Sequence, residues 1–163
     1  MVLAALAGVP LWAKRRYKHP LGFRVELPDG WNIEESKLGG VLLPPGVKVD
    51  PNREDNPEIY TLWSPEDDNS SERAYIQGVR EQLKAGNVAV DRGGDLEQFS
   101  SPGRGGVIYT FDFLHGPSRV QHRIRVYAMQ NRGRSLLVIA QGLRDKLAAR
   151  EVVLRAIARS VEW

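Results

Sequence analysis

Three consecutive strand-like runs in the second half of the chain restrict its fold more than any other feature. They cover residues 107–114, 120–129 and 135–141, and short connections that contain glycine separate them. Such connections favour antiparallel hairpins, because a crossover between parallel strands needs about a dozen residues or more. Every residue of 136–140 is apolar, which predicts a central strand that is buried on both faces of a sheet.

Two segments have the periodicity of amphipathic helices and are expected to cover the sheet. In 70–86, apolar residues recur at the spacing of one helix face. Asn69 and Glu72 suit an N-terminal cap, and Gly86-Asn87 suits a left-handed stop. The second segment, 145–161, repeats the apolar period and carries basic residues near its end, where the helix dipole favours them.

The N-terminal half is rich in turns and short strands. Residues 21–27 alternate between apolar and other side chains, and Pro28-Asp29-Gly30 suits a turn before the alternating residues 31–34. This pattern predicts a hairpin. Further strands are expected at 40–43 and 59–63, on either side of an exposed loop with four prolines.

The first 16 residues form a segment of their own. Residues 1–13 are apolar, and the basic cluster Lys14, Arg15 and Arg16 follows them. About a dozen apolar residues are too few to span a bilayer but are typical of the core of a secretory signal peptide. The segment therefore predicts an exported protein, periplasmic or secreted, with one domain at 17–163. A short helix or strand that packs on this domain, in a cytoplasmic protein, is the alternative.

Charge is divided unevenly along the chain, although the net charge is only +3. Residues 50–72 hold eight acids and one base, whereas 103–163 hold eleven bases and four acids. Either the two regions partly neutralise each other or are merely solvated, or a basic face recruits an anionic partner. The chain has no cysteine, which excludes disulfides and thiolate chemistry.

Both ends of 17–163 resemble a known domain family. The opening Tyr17-Lys18-His19-Pro20-Leu21-Gly22-Phe23, followed by Leu27-Pro28-Asp29-Gly30-Trp31, is similar to the start of PsbP-like domains. The closing Ile157-Ala158-Arg159-Ser160-Val161 is similar to their C-terminal signature. The resemblance implies an α+β fold, an αβα sandwich in which helices at about 70–86 and 145–161 flank a central antiparallel sheet.

The same resemblance bears on function. The fold of PsbP-like domains is shared by a photosystem II extrinsic protein, a Ran-binding protein of nuclear transport and small exported bacterial proteins. These have no catalytic motif in common, so the resemblance implies no site residue. It favours a binding or accessory role over an enzymatic one.

Arginines around the second strand-like run are the best candidate binding surface, which we call the arginine face. Its members alternate along that run and continue into the next turn: Arg119, Arg123, Arg125, Arg132 and Arg134. Guanidinium groups pair well with carboxylates and phosphates, so this face could hold an anion. In the alternative, some of these arginines pair with internal acids such as Asp112 on the neighbouring strand.

No other motif indicates a catalytic residue, a metal site or a cofactor. His19, His115 and His122 lack the spacing of zinc ligands, and His122 is expected to be a partly buried, hydrogen-bonded residue. The acids 66–68 lack the spacing of a calcium loop and suit the entry of a helix. The glycine-rich residues 101–106 open a strand, so they predict a hairpin loop and not a phosphate loop.

The function that the sequence favours is a non-enzymatic binding or accessory module with a protein partner. Binding of an anion, a phosphate-bearing ligand or, least expected, a nucleic acid by the arginine face is the alternative. An enzyme would require His115 or His122 within hydrogen-bond reach of a carboxylate in a cleft.

Overall fold

The chain folds as an antiparallel sheet with helices on both faces. A computed structural model describes residues 15–47, 58–65, 70–101, 104–117, 119–131 and 133–163, and within these ranges there are nine strands and three helices. The strands are β1 (Arg15–Lys18), β2 (Arg24–Leu27), β3 (Asn32–Ser36), β4 (Gly39–Leu43), β5 (Glu58–Trp63), β6 (Val90–Ser101), β7 (Arg104–His115), β8 (Val120–Asn131) and β9 (Arg134–Leu143). The helices are α1 (Ser70–Ala85), α2 (Arg144–Ala149) and α3 (Glu151–Arg159).

Seven of these strands form one sheet in the order β3-β4-β5-β9-β8-β7-β6. Every neighbouring pair is antiparallel, as the short connections predict. β9 lies in the middle of the sheet, and all of its residues from Leu136 to Ala140 are buried. The prediction of a central strand covered on both faces is confirmed.

The two faces of the sheet carry separate hydrophobic cores. On one, which we call the α1 face, Ile76, Val79 and Leu83 of α1 pack against β7, β8 and β9. On the other, the α3 face, α2, α3 and β2 pack against the sheet. Side chains alternate along a strand, so β8 gives Val126 to the α1 face and Tyr127 to the α3 face. The helices therefore cover opposite faces, as the resemblance to PsbP-like domains implies.

The N-terminal strands pair differently from the sequence prediction. β2 pairs with β1 in a separate two-stranded sheet, and β3 pairs with β4. The predicted hairpin of 21–27 with 31–34 is therefore wrong. The physical reason is burial: Phe23 lies in the core of the α3 face, and Arg24 exchanges backbone hydrogen bonds with Glu162 beyond the end of α3. β2 thus lies over the last helix instead of beside β3.

The second predicted helix, 145–161, is divided into α2 and α3 at Arg150. Arg150 leaves the helical conformation, with φ −102° and ψ 3°, and its Nε lies 2.5 Å from a carboxylate oxygen of Glu58 on β5. The guanidinium also lies over the Trp31 ring, 5.8 Å from its centre, and the Tyr60 hydroxyl donates to Glu58. Because a buried carboxylate requires such partners, these contacts explain a break that no local sequence pattern indicates.

Several segments discussed from the sequence lie outside the described residues. These are 1–14 of the signal-like segment, 48–57 of the proline-rich loop, and 66–69 with the acidic cluster and the cap residue Asn69. Arg15 and Arg16, by contrast, belong to β1 and pair with β2. None of the described helices is long and apolar enough to cross a membrane.

Gly78→Ala should stabilise the fold. Gly78 lies in the middle of α1, where glycine loses more backbone freedom on folding than alanine does, and an added Cβ would meet no atom within 4 Å. We expect the free energy of unfolding to rise by roughly 0.5–1 kcal/mol, measured by urea denaturation.

Gly39→Ala provides the contrast. Gly39 has φ +147°, and a Cβ there would lie 1.9 Å from the Leu62 carbonyl oxygen, so this variant should be less stable than the natural chain. Equal stability of both variants and the natural chain would show that neither local environment is as described.

Candidate functional site

Arg123 and Arg125, the members of the arginine face that belong to β8, lie on the α3 face of the sheet, and Arg123 forms an internal ion pair there. Its Nε lies 2.6 Å from Asp112 Oδ1 and its Nη2 lies 2.8 Å from Asp112 Oδ2, which is a bidentate contact. Arg92 of β6 approaches the same carboxylate at 3.6 Å. Arg123 and Asp112 are direct partners in the register of β7 and β8. The pairing with Asp112 that the sequence offered as an alternative is confirmed.

Arg125 belongs to a second charged cluster, two residues further along β8. Its Nη2 lies 3.2 Å from Glu97 of β6 and 3.0 Å from Glu151 of α3. Arg155 of α3 contacts the same two carboxylates at 2.8 and 3.0 Å, and the Tyr127 hydroxyl donates to Glu151. Two arginines and two glutamates therefore neutralise each other and connect α3 to the edge of the sheet.

The remaining members of the arginine face lie apart. Arg119 and Arg134 are exposed, and they stand at opposite ends of β8, whose 12 residues span roughly 36 Å. Arg134 also donates to the Leu21 carbonyl. Arg132 lies outside the described residues. The four described arginines thus do not form one contiguous exposed patch, and binding of an anion by them stays a prediction.

The Asp112 carboxyl group is held in its charged form. Burial alone would raise its pKa, but the hydrogen bonds and the charge of Arg123, with Arg92 and Arg144 nearby, hold the pKa below its usual value. Native-state stability therefore depends on this carboxylate being ionised.

A groove on the α1 face is the best candidate binding site. It lies between the C-terminal half of α1 and the edge strand β6, and its volume is about 400 Å³. Its walls combine apolar and basic side chains: Arg80, Leu83, Lys84, Asn87, Val88, Val90, Gly93 and Phe111. Phe111 is fully buried and Val90 is 42% exposed, so the groove has an apolar floor that is open to solvent on its β6 side.

Contacts at both ends of α1 fix its position and hence the shape of the groove. Near the N-terminus, buried Glu72 accepts hydrogen bonds from the Tyr109 hydroxyl at 2.9 Å and from the Gln130 amide at 2.8 Å. Burial and this carboxylate raise the pKa of Tyr109 to about 12, so the hydroxyl stays a donor. At the C-terminus, Asn87 has φ 49° and ends the helix, as the sequence predicts.

The rim of the groove carries positive charge. Arg80 donates from Nε to the Gly93 carbonyl at 3.1 Å, which links α1 to β6. In the part of the chain that the structure describes, neither Arg80 nor Lys84 forms a salt bridge. No carboxylate of the described residues thus competes with an acidic ligand for these two cations.

β6 forms the outer wall of the groove and one edge of the sheet. Its pairing with β7 is shifted in register between Val90 and Arg92 and again between Gly93 and Asp95. Further along the strand, Leu96 pairs with Tyr109 and is therefore on the α1 face, where 57% of it is exposed. An exposed leucine on the open face of an edge strand extends the apolar surface beyond the groove.

Sequence reasoning missed β6 and with it the groove. After Val90, the strand continues with Asp91, Arg92, Gly93, Gly94 and Asp95, which show neither an alternating pattern nor strong β propensity. Val88, Val90, Leu96 and Phe99 were the only available signal, and their spacing is irregular because of the register shifts. The hairpin expected around 101–106 is present, since Ser101 pairs with Arg104.

The histidines show no catalytic arrangement in the described part of the chain. His19 is buried; its Nδ1 accepts from the Leu21 N–H and its Nε2 donates to the Ser36 carbonyl, so both nitrogens are used. His122 forms a hydrogen bond with the Val120 carbonyl. Among the described residues, neither His122 nor His115 contacts a carboxylate. No three His, Asp or Glu side chains converge among the described residues.

Comparisons with known proteins identify the fold. No protein-family model matches the sequence, and no curated protein matches it. The solution structure of the cyanobacterial PsbP, CyanoP, from Synechocystis is similar, with a TM-score of 0.59 and 16% identity over 98% of each chain. The chain therefore has the fold of PsbP-like domains, which confirms the expectation from its opening and closing residues.

Two further structures align with lower scores. The Ran-binding protein Mog1p of Saccharomyces cerevisiae is 12% identical, with a TM-score of 0.49 over 93% of this chain and 95% of its own. LpqN of Mycobacterium tuberculosis, which is involved in cell envelope biogenesis, is 17% identical, with a TM-score of 0.48 over 91% and 88%. Likeness at this level of identity concerns the fold alone.

Asp112→Asn should destabilise the protein at neutral pH. The change leaves the mostly buried Arg123 without a charged partner, which costs about 3 kcal/mol in comparable pairs. Since the native pKa of Asp112 is lowered, its contribution is present above about pH 4 and is lost as the pH falls through the native value. Urea denaturation at pH 7 and pH 3 should show a large difference between the two proteins at pH 7 and a smaller one at pH 3. A difference that is independent of pH would exclude this ion pair as its cause.

Proposed function

We propose that this chain is a non-enzymatic protein-binding module that docks a segment of its partner in the groove between α1 and β6. The observation that carries the proposal is the combination, in one groove, of an apolar floor, a basic rim and an open sheet edge. An apolar surface that stays exposed beside unpaired cations is typical of an interaction site.

The charges of the groove indicate the chemistry of the segment. Arg80 and Lys84 face it from α1, while β6 turns Val90, Gly93 and Leu96 to the same face of the sheet. Asp95 and Glu97 of β6 pair in register with residues on the other face, where Glu97 contacts Arg125 and Arg155. The occupant that fits is an extended acidic segment with alternating apolar side chains, which places its apolar atoms on the floor and its carboxylates at the rim.

The shape of the groove supports a peptide more than a small substrate. A volume of about 400 Å³ is near the lower end of ligand pockets. Such pockets enclose most of their ligand, whereas this groove is open along β6. Its lining holds no histidine or carboxylate that could act as a general base.

Peptide display on the full chain tests this proposal. We expect the selected peptides to be acidic and to alternate apolar with charged residues, with amide NMR shifts that concentrate on α1 and β6. Gly93→Trp should abolish binding, because the indole occupies part of the groove, and a Cβ at Gly93 meets no atom within 4 Å, so the backbone there need not shift. Affinity should also fall with added salt.

Two lysines supply a matched pair of charge variants. Lys84 and Lys146 each lie in the last turn of a helix, on the α1 face and the α3 face respectively, and both are exposed. Lys84→Glu should weaken peptide binding about tenfold or more, and Lys146→Glu, with the same change of net charge, should leave it within about twofold. Selection of basic peptides, or equal binding by the Gly93→Trp variant, would refute the groove as the site.

We propose further that the protein is exported. The support is the apolar run 1–13, which suits the core of a signal peptide. Mass spectrometry of the protein from its native source should find a mature N-terminus after Ala7 or Ala13, in the envelope or secreted fraction. An intact Met1 in the cytoplasmic fraction would refute export without affecting the groove.

A further inference from the structure

Two histidines meet at the end of the β7–β8 hairpin, although seven positions separate them in the sequence. His115 is opposite Val120 and His122 is opposite Phe113, so the histidines are diagonal neighbours. Both belong to the alternate positions that face α1. Their ring centres are 5.0 Å apart, with 69° between the ring planes. Neither is needed for the proposed groove, whose lining does not include them.

The hydrogen bond of His122 determines which of its nitrogens is free. Nδ1 lies 3.1 Å from the Val120 carbonyl oxygen, which can only accept, so Nδ1 carries the proton. In the neutral imidazole, Nε2 then keeps the lone pair that can bind a metal. A histidine whose other ring N–H donates to a backbone carbonyl is the usual arrangement of a metal ligand. His115 is exposed at the end of β7 and can turn toward the same point.

We propose that His115 and His122 bind a divalent transition-metal ion through one imidazole nitrogen each. Two imidazoles that share a metal at bonds of about 2.0–2.1 Å have ring centres roughly 5 Å apart, which is the separation found here. Imidazole suits copper, nickel and zinc, whereas magnesium and calcium require oxygen ligands. No third His, Asp or Glu converges on the pair in the described part of the chain, so water fills the other positions.

The neighbours of the two histidines include an aromatic ring and a positive charge. Phe113 contacts both rings, with its ring centre 6.0 Å from that of His122 and 6.4 Å from that of His115. Arg119, in the turn between the two histidines, adds a positive charge that opposes a cation. Affinity should therefore be moderate and should rise when this charge is removed.

Calorimetric titration of the full chain with NiCl₂ tests the proposal. We expect one equivalent to bind, CuCl₂ to bind more tightly, and MgCl₂ not to bind. His115→Ala and His122→Ala should each lower the affinity for nickel at least tenfold, whereas Gln121→Ala, which changes an exposed neighbour on the other face of β8, should not. Arg119→Ala should raise the affinity about twofold or more.

A second measurement separates loss of the site from loss of the fold. Because both histidines are at least partly exposed, their alanine variants should keep the circular dichroism spectrum of the natural chain. The copper-bound protein should show electron paramagnetic resonance coupling to two nitrogens, and each alanine variant to fewer. Absence of nickel binding by the natural chain, or unchanged binding by both alanine variants, would overturn the proposal.

Discussion

The burial of β9 on both faces is the constraint on which the rest of the structure depends. A strand that is apolar on both sides requires a separate cover for each face, and the chain supplies α1 for one and α2, α3 and the β1–β2 pair for the other. Seven strands spaced about 4.8 Å apart make a sheet roughly 29 Å wide. A helix with its side chains is only about 10–12 Å across, so α1 alone leaves part of its face uncovered. The groove beside β6 follows from this mismatch in width.

The parts of the fold that could be predicted are those in which one local signal dominates. The apolar run 136–140 and the helical period of α1 each arise from burial, which imposes a pattern on neighbouring residues. The ion pair of Asp112 with Arg123 could be predicted from the sequence because β7 and β8 are consecutive strands. β6 imposes no such pattern, since most of it is exposed on both sides. The break at Arg150 depends on Glu58, which is remote in sequence and adjacent only in the folded chain. The groove was missed for the same reason as β6, because its outer wall is that strand.

The ion pairs of the arginine face show why a count of charges along the sequence is a poor guide to a binding surface. Along the sequence, Arg123 and Arg125 are two cations on the same side of a strand. In the fold, β6 and α3 bring carboxylates to both of them, so most of their charge is neutralised within the protein. Arg80 and Lys84 are no more conspicuous in the sequence, yet no carboxylate of the described residues is placed against them. The positions of the acidic residues in the fold, more than the number of basic residues, determine where positive charge is not neutralised.

The irregular edge strand β6 affects whether a strand from another copy of this protein can add to the sheet. A straight edge strand of 12 residues would offer a row of free backbone groups to which another chain could add, and such addition can continue into fibres. Here the register shifts near Gly93, the left-handed conformation of Gly94 and the charges of Arg92 and Asp95 interrupt that row. In the described part of the chain, this edge is therefore a poor template for a strand from a second copy.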